Sequence, residues 1–181
     1  MDIIDIILLA TALGIDCLII SFSQGLIFKL NRKKNSLKLA LTMGLFQGLM
    51  PVIGYIATDK IYNLLIPYSK WIVFTLFLIL GLHFISEGFW GKEKEQIQCI
   101  GFKCLIALGI ATSIDALISG VSIKLTSANL LLSCGVIGLA SFLMSQIGFW
   151  TGNVIKNIPS KHLHIIGGII LISLAIKNLI L

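Results

Sequence analysis

The chain has 181 residues, 57% of them hydrophobic and 12% charged, with a mean hydropathy of +1.00. A soluble domain carries roughly a quarter of its residues as charges, so this chain has too little charge to cover a water-facing surface. Disordered, collagen-like and coiled-coil classes fail on the same figures. The net charge of +6 falls in short segments between apolar runs, and Arg32-Lys33-Lys34 has no interleaved aromatic; the excess reports topology, and no nucleic-acid partner is expected.

Apolar runs at 4–27, 38–57, 70–90, 102–124, 130–151 and 163–180 are each long enough to cross a hydrocarbon core of about 30 Å as a helix. The sequence therefore predicts an all-α polytopic membrane protein of six transmembrane helices, a single domain over 1–181 whose partner is the lipid bilayer. In the first run Asp2 and Asp5 stand where a secretory signal would be basic, and the apolar stretch is too long for a signal core, so it is expected to stay as a span. The second run holds Gln47 and Pro51. A proline there frees the Gln47 carbonyl and kinks the helix, which serves either as a cation ligand or as a packing kink alone. His83 and Glu87 share one face near the end of the third run, as a proton relay, an ion entrance or a pair reaching the interface. The fourth run carries Thr112, Asp115, Ser119 and Ser122, and the fifth Gln146. His162 and His164 carry no specific signal. Cys17, Cys99, Cys104 and Cys134 lack any CxxC spacing and read as unpaired, apolar-like thiols.

Ten basic residues follow the first, third and fifth runs: Lys29, Arg32, Lys33, Lys34, Lys38, Lys92, Lys94, Lys103, Lys156 and Lys161. Only Lys60, Lys70, Lys124 and Lys177 lie on the opposite side. The positive-inside rule puts the first group in the cytoplasm and both termini outside, and Trp71, Trp90 and Trp150 near run ends suit the interface. All connections are short, so function is expected within the bilayer.

The halves resemble each other. A shift of 99 residues aligns Leu9, Ala12, Ile15-Asp16, Leu18-Ile19, Ser23 and Leu26 with Leu108, Ala111, Ile114-Asp115, Leu117-Ile118, Ser122 and Leu125, and brings Gln47 onto Gln146. A shift of 87 aligns Gly81 with Gly168 and Ile85-Ser86 with Ile172-Ser173. Two three-helix repeats follow, about 1–91 and 100–181. Three is odd, so the second is inverted relative to the first, the symmetry of many secondary transporters with a site near the midplane. One repeat rocking against the other would alternate the exposure of that site.

Asp16 and Asp115 fall near the middle of their runs. An ionised Asp at a helix centre costs about 2.5–3.5 kcal/mol on the insertion scale, and no Lys or Arg stands at comparable depth. A divalent cation would supply the missing charge; the alternative is a hydrogen-bonded acid pair that fixes helix packing. Ser23 and Ser122 lie two turns beyond each Asp, Thr112 and Ser119 flank Asp115, and Gln47 and Gln146 offer amide oxygens. Taken singly, each hydroxyl also reads as a helix–helix hydrogen bond. Such hard donors suit Mn²⁺, Mg²⁺ or Ca²⁺ better than Cu(I). Cys17, one residue from Asp16, is turned about 100° from its face and is set aside as a ligand. No HExxH, Ser/His/Asp set or Gly-rich loop before a lysine is present. The chain is therefore not read as an enzyme, and transport must draw on a gradient or the membrane potential, about 2.3 kcal/mol per charge per 100 mV. Protons displacing the metal at the carboxylates would offer the coupling.

The stretch Ala111-Thr112-Ser113-Ile114-Asp115-Ala116-Leu117, the run from Gly44 through Gln47 and Pro51 to Gly54, Gly81 through Glu87-Gly88-Phe89, and Ser141 through Gln146 to Gly148 resemble the MntP family of bacterial manganese efflux pumps. The likeness covers all six spans in order. It implies a multi-pass plasma-membrane exporter that clears Mn²⁺ from the cytoplasm by secondary transport, with Mn²⁺ as substrate and no cofactor. Asp16 and Asp115 would be central, and Glu87 matches an acidic position common in the family. The candidate metal ligands are thus Asp16, Asp115, Gln47, Gln146, Glu87, Ser23, Ser122 and Thr112. Cys17-Leu18 stands where relatives usually carry Ala-Phe, and Gln24 where a Lys is common, which bears on ion preference rather than fold. Other readings are an exporter of another divalent cation, of a small organic cation or of an amino acid, and a non-transporting membrane protein of the sporulation-associated branch. The sequence carries no signal for oligomeric state.

Overall fold

The computed structural model describes residues 1–27, 31–59, 62, 66–90, 102–154 and 160–180. Among them are seven α-helices and no strand: α1 (Ile3–Ile27), α2 (Arg32–Asp59), α3 (Ser69–Trp90) after a 3-10 turn (Ile66–Tyr68), α4 (Phe102–Thr112), α5 (Ile114–Leu125), α6 (Leu130–Val154) and α7 (Ser160–Ile180). Cys99, at a connection, and the side chains of Cys104 and Glu87 lie outside the described residues.

These helices turn apolar side chains outward as well as inward. Leu45, Leu49, Ile53 and Ile56 form an exposed stripe along α2, and Leu139, Leu143, Ile147 and Trp150 another along α6. Stripes of that length on the outside of a bundle are stable where lipid covers them. Among the described residues, four helices are long and apolar enough to cross a membrane, within Ile3–Gly25, Arg32–Thr58, Ile66–His83 and Leu130–Gly152. The fourth run departs from expectation: it is a pair, α4 and α5, bent by 42°, and makes a fifth crossing only when counted as one. In α7 the apolar helix among the described residues is Gly168–Lys177.

Both chain ends lie at one end of the bundle. A cavity of about 330 Å³ there is lined by Met1, Asp2 and Asp5 before and within α1, Ser69 and Lys70 at the start of α3, Leu125 and Thr126 at the end of α5, and Lys177 of α7. Asp5, 3% exposed, accepts a hydrogen bond from Lys177 Nζ at 2.7 Å, which ties the first helix to the last. Nearby, the Lys124 ammonium sits 4.3 Å over the Tyr55 ring. A tight connection from Thr126 to Asn129 joins α5 to α6, and Asn129 Oδ1 caps α6 by accepting from Leu132 N at 3.1 Å.

Packing follows a definite pattern. α6 lies against α1 and α2; α2 also packs on α4 and α5; α3 packs on α7; and α7 touches α1 as α3 touches α5. Exchanging α1 with α4–α5, α2 with α6, and α3 with α7 leaves these neighbour relations unchanged. Glycines set the register. A Cβ built on Gly44 would lie 2.9 Å from Gly138 O, and one on Gly138 3.0 Å from Gly44 O. Gly81 and Gly168 face each other's carbonyls in the same reciprocal way. Gly148 lies under Leu18 O as Gly54 lies under Leu117 O. The α1/α5 and α3/α7 relations keep the shifts of 99 and 87 residues, but these α2/α6 contacts correspond to a shift of 94. Gln47 is therefore equivalent in packing to Ser141, and the expected pairing of Gln47 with Gln146 is replaced.

Candidate functional site

The break between α4 and α5 is written into residues 112 and 113. Thr112 Oγ1 donates to Leu108 O at 2.9 Å, and Ser113 Oγ donates to Gly109 O at 2.7 Å. These hydroxyls occupy carbonyls at the end of α4, and Ser113 N turns to Ile110 O at 3.2 Å, a tighter i→i−3 bond that ends the α-helical ladder. A new ladder starts when Leu117 N bonds Ser113 O at 3.0 Å. Asp115 thus sits in the first turn of α5, where a carboxylate is favoured by the helix dipole. Its Oδ1 accepts from Ala116 N at 2.8 Å.

Gln47 reaches into this break from α2. Its side chain is fully buried; Nε2 donates to Thr112 O at 2.8 Å and lies 3.7 Å from Cys17 Sγ. Its other atom, Oε1, is buried with no hydrogen-bond partner among the described residues, which is costly for an amide oxygen unless something else satisfies it. Thr112 Oγ1 also lies 3.4 Å from Met43 Sδ. Cys17 is fully buried, with Ser141 close by, whose own buried hydroxyl has no hydrogen-bond partner among the described residues, and both Asp16 and Asp115 are near enough to act on the thiol electrostatically. Asp16 itself is half-buried on α1. The fold therefore brings Asp16 and Cys17, Met43 and Gln47, Thr112 and Asp115, and Ser141 near one another from five helices, α1, α2, α4, α5 and α6.

The remaining sequence candidates lie elsewhere. Ser122, fully buried, is seven residues beyond Asp115, about 10 Å along the helix towards the end that carries the termini. Its hydroxyl has no hydrogen-bond partner among the described residues. Ser23 is half-buried on α1, two turns from Asp16 in the opposite direction. Gln146 Oε1 accepts from Ser36 Oγ at the start of α2. Ser36 and Gln47 are separated by about 16 Å of helix, so Gln146 is not brought to Gln47. His83 is exposed.

Met43 and Ser141 are not among the candidate ligands read from the sequence, and Cys17 is considered there only to be set aside. Ser141 is found by aligning Gly44 with Gly138 and Gly54 with Gly148, a match of glycines that the more visible pair of glutamines concealed. Among the described residues, no three His, Cys, Asp or Glu side chains gather as a metal cluster. A cation at this place would therefore draw on carboxylates, neutral oxygens and sulphur together.

A family profile described as "Putative manganese efflux pump" matches residues 29–179. The chain is 35% identical over 177 residues to a protein of that name, MntP, from Methanosphaera stadtmanae, covering 98% of each. It is 36% identical over 179 residues to one from Methanobrevibacter smithii (99% of this chain, 97% of the relative), and 35% identical over 177 residues to one from Aliarcobacter butzleri (98% and 99%). No solved structure matches the chain. With relatives a third identical along almost their whole length, and a profile that takes in Gln47, Thr112 and Asp115, this chain belongs to the MntP family.

Proposed function

We propose that the protein exports Mn²⁺ from the cytoplasm across the plasma membrane, with Asp16 and Asp115 as its charged ligands and Gln47 and Thr112 beside them. What supports this reading is that both carboxylates are near enough to act on the one buried thiol of Cys17, beside an amide oxygen that lacks a hydrogen-bond partner among the described residues. Carboxylate oxygens are donors that a hard divalent cation takes directly, and its charge matches that of two such groups. The names of the relatives support Mn²⁺ as the cargo. Accumulation of Mn²⁺ in inverted membrane vesicles from cells making this protein, driven by an imposed proton gradient and absent from vesicles without it, is the expected result. Uptake equal in the two preparations would overturn the reading.

Six crossings are taken, with α4–α5 as the fourth and α7 as the sixth, and the termini outside. The exchange symmetry of the helix contacts supports two inverted repeats. On this arrangement Ser23 and Gln146 lie on the cytoplasmic path to the site, and Ser122 on the path out. The repeats differ at one point. The second is broken at Ser113, whereas α1 runs unbroken through Gly14, the equivalent position. Passing the break from one repeat to the other would turn the site from one side of the membrane to the other, with the half-helix ends facing the cargo as in other transporters of this symmetry.

The moving bodies are then not the two halves of the sequence. The closest backbone contacts join α1 to α6 (Gly148 and Gly152 under Leu18 O and Phe22 O) and α5 to α2 (Gly54 and Gly120 against Leu117 O and Pro51 O). Each pair combines helices from different halves, and backbone packed on backbone moves as a unit. Ser21 and Ser145 are hydrogen-bonded between α1 and α6. A disulfide formed in Ser21→Cys/Ser145→Cys should therefore leave Mn²⁺ uptake within about twofold of the reduced protein, a difference under 0.5 kcal/mol. Movement of whole halves against each other would instead make that bridge arrest transport.

A further inference from the structure

Cys17 occupies a special place in the symmetry. Its thiol lies 3.7 Å from Gln47 Nε2 and near Ser141, whose buried hydroxyl has no hydrogen-bond partner among the described residues, and Gln47 and Ser141 are equivalents under the exchange that relates α2 to α6. A group beside both lies close to the axis about which the halves are related. Nothing of the kind faces it from the second half, where the residue equivalent to Cys17 is Ala116, also fully buried.

A buried thiol alone is a packing residue as often as a ligand. Here a second observation points to a bound cation. Gln47 Oε1 is fully buried without a hydrogen-bond partner among the described residues, on the same amide whose nitrogen is 3.7 Å from Cys17 Sγ. A second sulphur, Met43 Sδ, packs in the same buried cluster as Cys17 and is 3.4 Å from Thr112 Oγ1. Two sulphurs and an amide oxygen in one buried cluster form a softer donor set than oxygen alone. Thiolate and thioether donors favour Zn²⁺ and its heavier congeners over Mn²⁺, which prefers carboxylate, carbonyl and water.

We infer that Cys17 is a cargo ligand that sets the selectivity of this pump, so that thiophilic divalent cations, Cd²⁺ and Zn²⁺, are carried through the same site as Mn²⁺. The inference rests on the export reading above, extends it to a second class of cargo, and depends on Cys17 rather than on the carboxylates.

The test uses the full-length protein in inverted vesicles and, purified in detergent, in a binding assay with Cd²⁺ alone. Vesicles with the parent protein should accumulate both Cd²⁺ and Mn²⁺. Cys17→Ser should lower the ratio of Cd²⁺ to Mn²⁺ uptake by about tenfold or more, as should Cys17→Ala, because a sulphur ligand worth about a factor of ten in affinity is removed. The purified parent should show the ultraviolet sulphur-to-Cd²⁺ charge-transfer band, and both variants should lose it. Cys134→Ser, at a buried thiol outside the site, should keep the ratio and the band. An unchanged ratio in Cys17→Ser, or a parent that takes up Mn²⁺ while neither accumulating nor binding Cd²⁺, overturns the inference and leaves Mn²⁺ export standing. Cys17-dependent Cd²⁺ uptake without Mn²⁺ uptake supports the inference and overturns manganese as the cargo. A parent that moves neither metal and shows no band overturns both.

Discussion

Asp115→Asn is expected to cut Mn²⁺ uptake into inverted vesicles by about 100-fold, and Asp16→Asn by a similar factor. Near a protein surface a unit charge 4 Å from another is worth about 4 kcal/mol, and a divalent ion doubles that before desolvation offsets part of it. A net loss of about 3 kcal/mol in cargo binding corresponds to a factor of somewhat over 100. Asparagine keeps the size of the side chain and an oxygen for the bond that Asp115 Oδ1 takes from Ala116 N, so the local fold at the start of α5 should survive. The substitution also removes a charge that is expensive inside a membrane. Thermal unfolding of Asp115→Asn should therefore move up or stay level while transport collapses. A hydrogen-bonded acid pair that only fixes packing gives the opposite signature, with transport kept and the unfolding temperature changed. The double variant should be little worse than either single one, because two groups that hold one ion do not contribute independently.

The sequence carried the positions of most elements because bilayer-length apolar runs are a coarse and redundant signal. The bend at Thr112–Ser113 was not legible. Thr-Ser followed by a β-branched residue reads as ordinary helix interior in an apolar run, and only the tertiary partners decide that its hydroxyls take the Leu108 and Gly109 carbonyls while Gln47 takes that of Thr112. Asp16 and Asp115 were legible for the reason that makes them costly: acids are rare at such depth, and a repeated pair is rarer. The place of Gln146 was not. Glutamine is as conspicuous as aspartate in an apolar helix, and matching conspicuous residues favoured a shift of 99, whereas helices pack by their small residues. Gly44 with Gly138 and Gly54 with Gly148 give the shift of 94 that the backbone contacts obey. Cys17 was set aside by counting degrees around one helix. That count is right for α1 alone, but a site made by several helices surrounds a residue, so a side chain 100° from Asp16 still meets Gln47 of α2.

Gly120→Ala should lower the stability of the folded protein by about 3 kcal/mol, at the upper end of what overpacking usually costs. A methyl group there would lie 2.1 Å from Pro51 O and 2.8 Å from Pro51 Cα, and on the facing helix a methyl group at Gly54 would lie 2.0 Å from Leu117 O. The obstacle in both cases is main chain, which cannot rotate aside as a side chain does, so α2 and α5 must separate and lose packing along their shared length. Gly135→Ala is the control: nothing lies within 4 Å of its built Cβ, and alanine at an open helix position costs nothing and gains up to about 1 kcal/mol in helix propensity. Unfolding of the purified proteins followed by circular dichroism in one detergent should place Gly120→Ala well below the parent and Gly135→Ala level with it or above. Equal midpoints for Gly120→Ala and the parent would mean that α2 and α5 are not held this closely. The double variant Gly54→Ala/Gly120→Ala separates this steric account from a general intolerance of larger residues. One outward movement of α5 relieves both clashes, so the two losses should add to clearly less than their sum. Gly54→Ala combined with Gly148→Ala, whose methyl would meet Leu18 O at the distinct α1/α6 contact, should be close to additive.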